Sequence, residues 1–155
     1  MVAGVPVAVR VHPAPFDAIL GLRHAVLRPG RPLETARFDG DDDADTVHLA
    51  ARLADSGEVV GCATLMRRPF EAQPAWQLRG MATRGDLARH GVGTAVLRGA
   101  EQLVREHGGP WLLWCNARLA AVPFYASAGW QVVSAVFDIP GIGPHHVMVR
   151  RLNAA

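Results

Sequence analysis

Apolar and polar positions divide the chain into short alternating runs and a few helical stripes. Val5–Val11 alternates and predicts a first strand, stopped by Pro13 and Pro15. Phe16, Ile19, Leu20, Val26 and Leu27 recur at helical spacing, so a helix is expected over Phe16–Leu27, ended by Pro29-Gly30. Thr46–Ala54 and Glu58–Met66 read as a strand pair around the turn Asp55-Ser56-Gly57, and Trp76–Thr83 as the next strand. Val92, Val96, Gly99 and Leu103 form one stripe of a long helix, Gly91 to Glu106, in which Gly99 allows close approach to a sheet. Trp111–Asn116 is apolar until its last residue, the pattern of a central strand buried on both faces. A shorter helix follows over Ala120–Ala128, with Pro123 in its first turn and Gly129 at its stop. Strands Gln131–Phe137 and His145–Leu152 complete the series. The strand–helix–strand unit calls for a right-handed crossover between parallel neighbours. The expected fold is mixed α+β: one domain over residues 1–155, with a mostly antiparallel central sheet of about seven strands flanked by helices on both faces.

Composition narrows the function classes. With 155 residues, 50% of them hydrophobic and 19% charged, the chain can bury a full core and is not a disordered segment. A net charge of +2 with scattered arginines gives no footprint for nucleic acid. The apolar run from Val2 to Val9 is interrupted by Gly4 and Pro6 and has no basic leader, so neither a signal peptide nor a membrane span is expected, and the location is expected to be cytoplasmic. Cys62 and Cys115 fall in apolar runs and read as buried reduced thiols, with no metal site implied. The acidic stretch Asp39–Asp45 lacks the glycine and glutamate of a calcium loop, having Ala44 and Ala50 at those places. It is a solvated loop or a face that attracts a cationic substrate.

One loop carries chemistry. Ala88-Arg89-His90-Gly91-Val92-Gly93-Thr94-Ala95 places two glycines at the start of the long helix. Glycines let backbone turn sharply and approach a ligand, and a helix N-terminus offers unpaired N–H groups and partial positive charge. Together with Arg89 they suit a phosphate-bearing cofactor. A P-loop is excluded because the chain contains no lysine, and a dinucleotide fingerprint because Val96 replaces its third glycine.

The order of elements and three signatures resemble the GNAT superfamily of acetyl-CoA-dependent N-acetyltransferases. The signatures are Leu78-Arg79-Gly80-Met81-Ala82-Thr83 before the loop, Arg89 to Ala95 as the loop itself, and Asn116 with Pro123-Phe124-Tyr125 and Gly129-Trp130 beyond it. Within the superfamily, the His48 strand and the Gly143-Pro144-His145 ending look most like the ElaA type. The family loop begins with Gln or Arg where this chain has Ala88, leaving Arg89 or Arg84 to supply a side-chain contact.

The resemblance implies an acetyl-CoA site. The diphosphate of coenzyme A would rest on Arg89, His90, Gly91, Val92, Gly93 and Thr94. Its pantetheine arm would lie between strands that splay apart, against Met81, Ala82, Thr83, Asn116 and Phe124. Tyr125 would be the catalytic hydrogen-bond donor to the departing sulfur. An unperturbed tyrosine, near pKa 10, lies about 1.5 units above a thiol, so stabilising the thiolate is a surer role than full proton transfer. An alkylammonium near 10.4 is only about one part in 2,500 free base at pH 7, so a base is useful. His48, His145, His146 and the Asp41–Asp45 loop are the candidates, with none singled out. The expected activity is acetyl transfer to a primary amine of a small molecule or peptide by a monomer or homodimer. A non-catalytic acyl-CoA-binding regulatory module is the alternative.

Overall fold

In a computed structural model, residues 4–153 are described; Val2 and Ala3, the start of the N-terminal apolar run, lie outside them. The strands are β1 (Val9–Ala14), β2 (Val47–Leu53), β3 (Val59–Arg67), β4 (Trp76–Thr83), β5 (Leu112–Arg118), β6 (Gln131–Val132), β7 (Phe137–Ile139) and β8 (Gly143–Arg151). All eight join one sheet in the order β1-β2-β3-β4-β5-β8-β6, with β7 also on β8. The helices are α1 (Phe16–Leu27), α2 (Val92–Glu106) and α3 (Val122–Ser127). The β4–β5 pairing is parallel and every other pairing antiparallel, as the crossover through α2 requires.

Strand alternation sorts the helices onto opposite faces. Leu49 and Ala51 of β2 point to one side, into the large core with Val92, Val96, Leu97 and Leu103 of α2. Ala50 and Cys62 point to the other, against Ile19, Leu22 and Val26 of α1. Gly99 does bring α2 close to the sheet: a Cβ there would sit 2.5 Å from Val11 Cγ1. Tyr125 and Phe124 place α3 on the α2 face.

Three boundaries differ from the sequence pattern. β1 starts later and runs through Pro13, which is possible because β1 is an edge strand and has a partner only in β2. The strand expected over Gln131–Phe137 is broken in two. At the break, Ser134 Oγ accepts the Val147 N–H at 2.8 Å, so a side chain replaces a rung of the ladder. The helix expected from Ala120 opens as a 3-10 turn, Leu119–Ala121, before α3 proper.

Candidate active site

The glycine loop folds as a left-handed corner that feeds a helix. Gly91 caps α2 at φ +85°, and Arg89 also has positive φ, +67°. The first helical bond of α2 runs from Ala95 N–H to Gly91 O, 3.0 Å, so the N–H groups of Val92, Gly93 and Thr94 precede any intrahelical partner. Gly93 and Thr94 border a groove of about 580 Å³, whose wall also includes Met81, Ala82, Thr83, Ala88, Arg89, Gly91 and Phe124. Glycine is needed at 93 for space: a Cβ there would lie 3.0 Å from Phe124 Cζ.

Two expected loop residues turn elsewhere. Val92 is in the core at 1% exposure and does not line the groove. The His90 ring donates from Nδ1 to Val5 O, 2.7 Å, while Gly4 N–H and Val7 N–H donate to the carbonyls of Arg89 and His90. The N-terminal segment thus straps the loop from outside. Arg84 is engaged by Asp86 and Glu58, so of the two arginines expected to compensate for Ala88, Arg89 is the one in the groove wall.

A second opening arises where two strands part. β4 and β5 are paired only at Trp76–Leu113 and Gln77–Trp114. Beyond that point β4 carries one extra residue against β3, between the pairs Thr64–Arg79 and Cys62–Ala82. The bulge includes Gly80 at φ +61°, and it bends the strand away from β5. The wedge so formed holds a cavity of about 180 Å³, walled by Arg79, Met81, Asn116, Arg118, Tyr125 and His145 among others. Groove and cavity share Met81, Ala121 and Tyr125, which therefore mark their junction. Asn116 lines the cavity and not the groove, so it stands on the far side of that junction from the glycine loop.

Tyr125 is 7% exposed, and its hydroxyl donates to Met81 Sδ at 3.5 Å. Sulfur is a weak acceptor, so that proton remains available to a better one. Burial, reinforced by Cys115, pushes the phenol well above its ordinary value. The two thiols are likewise raised by burial, Cys62 to about 11 and Cys115 to about 12, and stay protonated.

The candidate bases separate by their partners. His48 Nε2 lies 3.1 Å from Asp41 O, and a carbonyl only accepts, so Nε2 carries the proton. Nδ1 then accepts from Thr64 Oγ1 at 2.8 Å, and both nitrogens are occupied. Burial also lowers its pKa. His48 belongs to a buried network: Arg23, 0% exposed, donates to both carboxylate oxygens of Asp41 at 2.7 and 3.1 Å, to Thr64 Oγ1 at 2.6 Å and to Ala36 O at 2.9 Å. Asp41 is therefore an internal counter-ion rather than part of a solvated loop. Arg23 also packs beneath the bulge, since a Cβ on Gly80 would meet Arg23 Nε at 2.8 Å. The sequence reading missed this network, although Arg23 on the buried stripe of Ile19 and Leu20 was a visible anomaly. His146 donates to Ser134 O and does not line the cavity. His145 does line it. Its Nδ1 donates to Gly143 O at 2.7 Å, which leaves the lone pair of the neutral ring on Nε2.

Comparison with known proteins agrees with this geometry. The family model described as "Acetyltransferase (GNAT) family" matches residues 18–130. An uncharacterized N-acetyltransferase of Bacillus subtilis (strain 168), YitI, is 32% identical over 137 residues, covering 86% of this chain and 90% of the relative. Among solved structures, Escherichia coli ElaA superposes with a TM-score of 0.77 at 19% identity, covering 93% of this chain and all of its own (100%). An aminoglycoside 6'-N-acetyltransferase complexed with coenzyme A gives 0.71 at 13% identity, covering 92% and 96%. At such identities the two structures speak for the fold alone.

Proposed function

Since the chain belongs to the acetyltransferase (GNAT) family and is an acyltransferase, we propose that it moves an acetyl group from acetyl-CoA to an amine by direct attack on the thioester. The observation that carries this is the junction. A groove headed by a glycine-capped helix N-terminus meets a separate cavity at Met81 and Tyr125, where two parallel strands have come apart.

The residues present fit a phosphate-bearing thioester carrier. The backbone N–H groups of Gly93 and Thr94, with Arg89, would hold a diphosphate. The glycine cradle is one that a Cβ at 93 would crowd. Met81, Ala82 and Thr83 on one side and Phe124 on the other would confine the arm. When bound, acetyl-CoA supplies an electrophilic carbonyl carbon and a thiolate leaving group. Burial raises the Tyr125 phenol, so Oη keeps its proton at neutral pH and would serve as a hydrogen-bond donor to sulfur rather than a proton source. His145 lines the cavity, and the Nε2 lone pair of its neutral ring would take a proton from the acceptor ammonium. The new C–N bond forms as C–S breaks; the nitrogen sheds two protons overall, and the sulfur ends as a thiol with one. Asn116, in the cavity wall, orients the acceptor. Leu78, Cys115 and Ala117, all buried, give the wedge an apolar wall.

The test combines binding and turnover. Coenzyme A should raise the thermal midpoint where ATP and NAD do not, and thiol release from acetyl-CoA should require an added amine. Coenzyme A binding without turnover on any amine would instead favour a non-catalytic acyl-CoA-binding module.

A further inference from the structure

The cavity beyond the junction has a one-sided charge. Arg28, Arg79 and Arg118 all contribute to its wall, together with His145 and Asn116, and no Asp or Glu does so among the described residues. These arginines come from α1, β4 and β5, separated in sequence but convergent in space. Phe38 draws two of them together, with the Arg79 guanidinium 4.6 Å and that of Arg28 5.5 Å from its ring centroid. Among the described residues none of the three makes an ion pair; the Arg28 guanidinium donates to Leu27 O, 2.9 Å, at the end of the helix before it. The nearby carboxylate, Asp41, is already gripped by both nitrogens of Arg23. Arg31 adds a further positive charge at the rim, tied to Gly141 O at 3.2 Å.

Arg23 shows what an arginine of structural purpose looks like in this fold: buried, bidentate and neutralised. The cavity arginines lack that neutralisation. Burial, with repulsion from Arg118, Arg31 and Arg23 at Arg28 and from Arg68, Arg23 and Arg28 at Arg79, disfavours the charged forms of Arg28 and Arg79, with Asp41 partly opposing this at Arg79. Guanidinium groups left in that state are a receptor for a planar or tetrahedral anion, which they bind by paired N–H donors. A cleft lined by one sign of charge also concentrates the opposite sign.

We propose that the acceptor is a small amine that also bears a carboxylate or a phosphate, its anionic group held by Arg28, Arg79 and Arg118 and its nitrogen at Tyr125 and His145. This rests on the acetyltransfer reading above and names the substrate class of that site. Of the acidic loop, Asp41 is buried and paired with Arg23, whereas Asp39, Asp42, Asp43 and Asp45 are exposed. The cavity of about 180 Å³ also suits a compact acceptor, comparable with a free amino acid or a phosphorylated amino alcohol rather than an aminoglycoside.

The experiment uses the full chain and matched acceptors: leucine against leucinamide, and 2-aminoethyl phosphate against ethanolamine, with spermidine as the cationic control. Thiol release should give kcat/KM at least tenfold higher for the anionic member of one pair. Arg79→Gln and Arg118→Gln should each lower the rate for that anionic acceptor at least tenfold more than for its neutral partner. Calorimetry gives a readout without chemistry: in the presence of coenzyme A, 2-aminoethyl phosphate should bind and ethanolamine should not, with the binding lost in Arg79→Gln. Neutral or cationic amines turning over as well as the anionic ones would overturn the acceptor class while leaving acetyl transfer standing. Anion binding with no turnover of any amine would support the receptor and overturn acetyl transfer instead. Equal calorimetric silence from all probes, beside active turnover of ethanolamine or spermidine, would also overturn the proposal.

Discussion

Replacing Tyr125 with phenylalanine separates chemistry from stability. The hydroxyl is buried, yet its hydrogen bond in the structure is to the Met81 thioether at 3.5 Å, a weak bond whose loss costs the fold little. The ring, which packs against Phe124 and Trp130 at centroid distances of 5.3 and 5.4 Å, is retained. A stability change within about 1 kcal/mol is expected, hence a shift of no more than about 4 °C in thermal midpoint. Catalysis should respond very differently. A hydrogen bond to a charged acceptor contributes about 1.5–3 kcal/mol, which converts to roughly 10- to 150-fold in rate at 1.36 kcal/mol per decade. Because the phenol is raised above its ordinary value, the wild-type protein should also show no loss of rate from tyrosine ionisation below about pH 10. The assay is steady-state thiol release with saturating acetyl-CoA, beside coenzyme A affinity by calorimetry. Coenzyme A affinity should stay within about threefold, since in the proposed site the diphosphate rests on the loop and not on the hydroxyl. A kcat within threefold of wild type would refute the donor role, and a collapse of the thermal midpoint would refute the reading of its hydrogen bond as weak.

His145→Ala should lower kcat by about a hundredfold with alkylamines, the range of general base catalysis, and by much less with weakly basic amines that are already free base; an equal loss for both would make His145 structural. Asp41→Asn leaves the Arg23 guanidinium buried without its counter-ion, a change that costs about 3–5 kcal/mol. The thermal midpoint should fall by about 10 °C or more, and a drop under about 3 °C would show that the pair does not brace the fold. Gly93→Ala should weaken coenzyme A at least fivefold with little change in midpoint, because the added Cβ meets the Phe124 ring at 3.0 Å and drives it into the groove; unchanged affinity in calorimetry would mean the ring yields elsewhere.

Local pattern was enough for whatever depends on neighbours along the chain. The Gly91–Gly93 corner, the amphipathic stripe of α2, the apolar run of β5 and the crossover between parallel strands all follow from residues a few positions apart, and the structure places them as the sequence implied. The approach of Tyr125 to the loop region came only from the family resemblance, not from local pattern. Features built from distant residues were illegible for a physical reason: nothing in the order of a chain says which charges will share a cavity. Arg23 and Asp41 lie 18 positions apart, and Arg23 and Thr64 lie 41 apart, yet together they form the polar centre under the β4 bulge. The Gly80 bulge, the tautomer of His145 and the meeting of Arg28, Arg79 and Arg118 are decided only when β4 bends from β5 and β8 closes beside it. Hydrophobic periodicity therefore determined which segments become strands and helices, and the two glycines where the corner before α2 stands. Tertiary packing alone decided which histidine lines the cavity, which aspartate is spent inside the protein, and which charges line the cavity wall.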